Sequence, residues 1–159
     1  MDEYDCSLQD YLSNQNSSQW LTLRRRHAML KKVLDIIQYI QDKGVCHLDL
    51  KPSNFLLNTD HNGNWNQTDF VLADFGIASS FKLATGYCGT PGFASPEQFI
   101  GEISERTDNY TFGKLAVTIL YPWDAAWNLL AQPLSLEELK QQPLYDTELW
   151  KLISALLEV

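Results

Sequence analysis

Between Leu23 and Lys43 the apolar residues Met29, Leu30, Val33, Leu34, Ile37 and Ile40 return at steps of three and four. That period fits one face of an α-helix and no strand. Gly44 follows it, where a glycine ends a helix by taking the left-handed turn. A helix of this length needs a core to lie on, and the chain supplies one. Phe55-Leu56-Leu57 and Phe70-Val71-Leu72-Ala73 are short apolar runs that read as two strands, joined by the turn-rich stretch Asn58 to Asp69. Tyr110 to Tyr121 is apolar enough for a largely buried helix stopped by Pro122. Leu136 to Gln142 and Thr147 to Glu158 read as two more helices. Ser7 to Leu12 predicts a short helix with Ser7 as its N-cap, Asn14 to Gln19 a polar connector, and Gly76 to Pro96 an extended loop. The fold class is mainly α with a small β-hairpin, in one domain.

Composition narrows the function classes. A net charge of −8 argues against binding nucleic acid or an anionic membrane, since both attract positive surfaces. The one basic run, Arg24-Arg25-Arg26, reads as a solvated helix face. Cys6, Cys46 and Cys88 have neither disulfide-like nor metal-ligand spacing, which suits a reducing cytoplasm. The acidic, polar start excludes a signal peptide, and no apolar run reaches the ~20 residues of a membrane span.

The segment that carries chemistry is His47-Leu48-Asp49-Leu50-Lys51-Pro52-Ser53-Asn54, in the loop between a helix and a strand. Asp74-Phe75-Gly76 follows the second strand, and Gly89-Thr90-Pro91-Gly92-Phe93-Ala94-Ser95-Pro96-Glu97 follows that. Taken singly, each residue has a plain structural reading. Asp49 and Lys51 could be a surface ion pair, Asn54 a turn former and Asp74 a cap.

Taken together, in this order and spacing, the three segments resemble those of eukaryotic-type protein kinases. They match the catalytic loop (47–54), the metal-binding loop at the start of the activation segment (74–97), and that segment's Pro-Glu end. The resemblance implies the α+β C-terminal lobe of a kinase over residues 1–159, with 1–8 as the hinge between lobes. Asp49 would orient or accept the acceptor hydroxyl's proton, and Lys51 would sit near the γ-phosphate. Asn54 and Asp74 would ligate Mg²⁺ through hard oxygen donors. Leu56 would lie under the adenine of ATP, with Glu3 and Tyr4 on the hinge at its edge. His47 and Phe75 would join the apolar column between lobes, and Asp108 would accept bonds from the catalytic-loop backbone. Lys51-Pro52-Ser53-Asn54 and Gly89-Thr90-Pro91 favour a serine/threonine kinase, with Thr90 bonded to Asp49 and Lys51. Thr85 and Tyr87 occupy positions where such loops are phosphorylated.

The resemblance has gaps. Leu48 stands where the family has an arginine that pairs with a loop phosphate, which weakens the case for switching by phosphorylation. The sequence carries no glycine-rich loop, strand lysine or partner glutamate, and stops before the arginine that would pair with Glu97. Two readings follow: a serine/threonine kinase acting on protein hydroxyls, or a non-catalytic half-kinase that binds a partner protein through the apolar surface left uncovered. On either, the isolated chain is expected to bind ATP·Mg weakly and transfer phosphate negligibly. Turnover on a generic serine/threonine substrate, with Asp49→Asn as control, checks this, and robust Asp49-dependent turnover would refute it.

Overall fold

The computed structural model describes residues 3–14, 21–80, 88–104, 106–124, 126 and 147–157. A two-residue strand β1 (Cys6–Ser7) leads into α1 (Leu8–Ser13). Ser7 caps α1 as expected, and Asp10 completes the box by accepting from the Ser7 backbone N–H. The long helix α2 (Leu23–Gln41) then runs to the turn at Gly44, which has φ +73°. Met29, Leu30, Val33, Ile37 and Ile40 are its buried stripe, as the period predicts. Leu34 is 40% exposed, and Arg26 is buried.

Strands β2 (Val45–Cys46), β3 (Phe55–Thr59) and β4 (Trp65–Leu72) follow. Sheet order is β1-β3-β4, antiparallel, with Ser7 opposite Leu56 and Phe55 opposite Leu72. The hairpin is longer than the apolar runs alone predict, because polar residues continue the ladder to a tight turn. There the Asp60 carboxylate accepts from the Asn62 and Asn64 N–H groups. Within the span read as loop, Ser79–Ser80 forms β5, paired with β2. Helix α3 (Pro96–Phe99) begins at that span's last residue.

Helix α4 (Thr107–Leu120) starts three residues before the apolar run and is buried from Thr111 to Leu120. It touches α2 and α5 (Thr147–Leu157). A Cβ at Gly113 would lie 2.9 Å from a Leu157 methyl, so α5 rests almost on the α4 backbone. The core joins Leu8, Tyr11 and Leu12 of α1 to Met29, Val33 and Ile37, and these to Phe55, Leu57, Leu115 and Ile119. No described helix is long and apolar enough to cross a membrane. The connector at 15–19 and the helix expected at 136–142 lie outside the described residues.

The basic run needs correction. Arg26 is 4% exposed, and its guanidinium donates to the carbonyls of Leu21 (3.1 Å) and Ile119 (2.5 Å). A guanidinium has five donors and suits a helix end with unpaired carbonyls, which α4 supplies. Arg26→Met keeps the apolar stem and removes the donors, so a loss of about 2–3 kcal/mol in urea unfolding is expected. Exposed Arg24→Ala should change stability by less than about 0.5 kcal/mol.

Candidate active site

The loop from His47 to Lys51 is fixed from below by α4. The His47 N–H donates to Asp108 Oδ2 at 2.7 Å and the Leu48 N–H to Oδ1 at 3.1 Å. Asp108 is fully buried, and burial pushes its carboxyl up from the ordinary carboxylate range, against the downward pull of those two N–H groups. His47, also fully buried, has Nε2 3.0 Å from the Ala73 carbonyl and its ring edge-on to Phe75, centroids 4.8 Å apart. Leu48 has φ +69°, a left-handed conformation that costs a leucine about 1–2 kcal/mol. Those bonds hold it there.

This turn presents Asp49 to a small polar cluster. Lys51 Nζ donates to Asp49 Oδ2 at 2.7 Å and to Thr90 Oγ1 at 2.9 Å, while the Thr90 hydroxyl donates to Asp49 Oδ1 at 2.5 Å. The side chains of Lys51 and Asp49 are 25% and 13% exposed, so the pair is shielded yet reachable. Asn54 Nδ2 donates to the Asp49 carbonyl at 2.8 Å, which leaves Oδ1 as the amide's free donor atom for a ligand. The Asn54 carbonyl in turn accepts from the Ala73 N–H at 2.8 Å. Asp74, next along, is therefore at the same end of the hairpin as Asn54.

Asp74 is exposed, has φ +61°, and has no hydrogen-bond or ion-pair partner among the described residues. A carboxylate and an amide oxygen from the same end of the hairpin are donor types that suit Mg²⁺. At Gly76 a Cβ would lie 3.2 Å from Asp74 Oδ1, so glycine leaves that carboxylate room. Leu56 is half-buried on β3. Tyr4 is half-buried and Glu3 exposed, both just ahead of β1. Thr85 and Tyr87 fall outside the described residues. A separate cavity of about 550 Å³ is lined by Glu97, Glu102, Arg106, Asn109 and Tyr110 among others, and by none of Asp49, Lys51, Asn54 or Asp74. Glu97 Oε2 is buried without a hydrogen-bond partner among the described residues.

One residue of the surroundings carries no sequence signal. Gln98 of α3 is fully buried and reaches the 47–51 loop, donating to the Leu48 carbonyl at 2.9 Å. No periodicity or motif marks a glutamine whose partner lies fifty residues away.

A family model described as the protein kinase domain matches residues 2–150. An L-type lectin-domain containing receptor kinase of Arabidopsis thaliana is 36% identical over 118 residues, covering 72% of this chain and 17% of that protein. The serine/threonine-protein kinase chk1 of Schizosaccharomyces pombe is 31% identical over 127 residues, covering 77% of this chain and 25% of that protein. A chain from the crystal structure of the yeast RNA Pol II CTD kinase CTDK-1 complex superposes with a TM-score of 0.62 at 22% identity, covering 75% of this chain and 38% of that one. The chain thus spans well under half the length of the proteins it matches.

Because burial makes Asp108 hold its proton more tightly when folded, its contribution to stability is full below the ordinary carboxylate range. That contribution is lost as pH rises through the raised value. In urea titrations across that range, subtracting Asp108→Asn from the parent protein should leave a difference that declines as pH rises. A flat difference would contradict it.

Proposed function

The chain belongs to the protein kinase family, and from that membership we propose that it is the catalytic C-terminal lobe of a serine/threonine kinase, directing a phosphoryl group from ATP·Mg to a protein hydroxyl. The observation that carries this reading is the contact of Asp49, Lys51 and Thr90. An aliphatic alcohol already within 2.5 Å of Asp49 Oδ1 supports Asp49 as the carboxylate that receives a serine or threonine hydroxyl. The name of the fission-yeast relative supports the same acceptor class.

On this reading ATP·Mg, when bound, supplies the phosphoryl group and the metal charge that offsets its negative oxygens. Asp49 orients the acceptor hydroxyl and takes its proton. Lys51, anchored by Asp49 and Thr90, holds a positive charge beside the place where negative charge grows in the transition state. Asn54 Oδ1 and the Asp74 carboxylate would hold the metal, and Leu56, with Glu3 and Tyr4 of the hinge (residues 1–8), would bind the adenine. Residues 47–54 act as catalytic loop and 74–97 as activation segment. An intracellular setting belongs to the same proposal, supported by three cysteines whose spacing suits neither a disulfide framework nor a metal site.

A second reading, a module that binds a partner protein, draws support from Phe75 and Ile77, which are 46% and 44% exposed just after Asp74. The two are separated by one set of measurements on this chain at high ATP·Mg. The kinase reading expects trace transfer to a serine/threonine substrate that disappears in Asp49→Asn. It also expects Asp74→Ala to weaken nucleotide binding only when magnesium is present. Transfer undiminished in Asp49→Asn sinks it, and nucleotide binding indifferent to magnesium and to Asp74 favours the module.

A further inference from the structure

The turn that aims Asp49 is held from two sides, and only one side belongs to the motif-bearing residues already described. Asp108 takes the N–H groups of His47 and Leu48. The opposite end of the Leu48 residue, its carbonyl, is taken by Gln98 Nε2 at 2.9 Å. The same nitrogen donates to the Cys88 carbonyl at 3.1 Å, and Gln98 Oε1 accepts from the Ser95 N–H at 2.9 Å. Two acceptors face the nitrogen and one donor faces the oxygen, so only one orientation of the amide satisfies all three. The packing is as tight as the bonding. A Cβ at Gly89, where φ is +99°, would lie 2.7 Å from Gln98 Nε2 and 2.8 Å from the Leu48 carbonyl oxygen.

We infer that Gln98 is a positioning residue, which clamps the peptide between Leu48 and Asp49 to both ends of the 88–95 segment. The inference rests on the reading of Asp49 as the proton acceptor, but the clamp itself can be measured without turnover. Leu48 is in a left-handed conformation that its side chain disfavours. The peptide carbonyl that follows sets the direction in which Asp49 leaves the turn. Residues 88–95 contain Thr90, whose hydroxyl meets the Asp49 carboxylate. Gln98 therefore ties together the two backbone stretches whose side chains form the Asp49 cluster. Where the family places an arginine answering to a phosphate, this chain has a buried leucine and a neutral amide bond to that leucine's own carbonyl.

NMR on the whole chain tests this. In the parent protein the Gln98 side-chain amide protons should exchange at least about tenfold more slowly than those of exposed Gln38. Gln98→Met, which removes all three bonds, and Gln98→Glu, which turns an oxygen toward two carbonyls, should each speed exchange of the Leu48 and Asp49 amides about tenfold. They should also shift the Asp49 carboxyl ¹³C resonance while leaving that of exposed Asp35 in place. Changes confined to Cys88 and Ser95, with Leu48 and Asp49 unmoved, would make Gln98 a local cap and overturn the inference. Gln98 protons exchanging as fast as those of Gln38 would do the same even if both variants fail to fold. The clamp can fail with Asp49-dependent transfer intact, and transfer can prove independent of Asp49 with the clamp intact.

Discussion

A single buried carboxylate organises this molecule. Asp108 stands at the start of the most buried helix and accepts two consecutive backbone N–H groups from a loop sixty residues earlier. Burying a charge-bearing group costs several kcal/mol unless it is well bonded. Its donors are themselves buried amides that would otherwise go unpaired. The left-handed turn at Leu48 and the placement of the His47 ring against the Ala73 carbonyl depend on that contact, and the direction of Asp49 depends on it together with the Gln98 bond to the Leu48 carbonyl. Helix α4 is the platform and the loop is hung from it.

The polar cluster above the platform is balanced so that no member is fully spent. The Lys51 ammonium divides its donors between a carboxylate and a hydroxyl, and Asn54 spends its NH₂ on backbone and keeps its oxygen. Asp74 spends nothing among the described residues. Such a set differs from a structural ion pair, whose partners exhaust one another. Its leftover capacity is one amide oxygen, one carboxylate and one shared cation, groups of the kind the proposed ATP·Mg would call on.

Much of this was legible in the sequence, for identifiable reasons. The period of α2 and its terminal glycine located the helix to within two residues, and the motif segments pointed to Asp49, Lys51, Asn54, Asp74, Thr90 and Asp108. What escaped depends on contacts between residues far apart in the chain. The pairing of Ser79–Ser80 with Val45–Cys46 is two residues long and has no local signature. Leu34 fits the stripe but lies at its edge, and Arg26 looks like surface charge until the carbonyls of another helix arrive. Gln98 is the sharpest example. Its side chain would suit any exposed helix position, and only the fold turns it toward residue 48. The outer half of the hairpin is held by the Asp60 turn and backbone pairing, with no apolar run to announce it.

The buried guanidinium of α2 has a bearing on how the chain is made. The acceptors for Arg26 include the Ile119 and Tyr121 carbonyls, more than ninety positions downstream. A growing polypeptide emerges N-terminal first at about 5–20 residues per second. Helix α2 is therefore synthesised seconds before the groups that neutralise the cost of hiding its arginine. Until the stretch through Tyr121 has left the ribosome, the cation has reason to remain in water and to hold the helix away from a closed interior. The closed packing of α2 around Arg26 is therefore completed only once the end of α4 has been made.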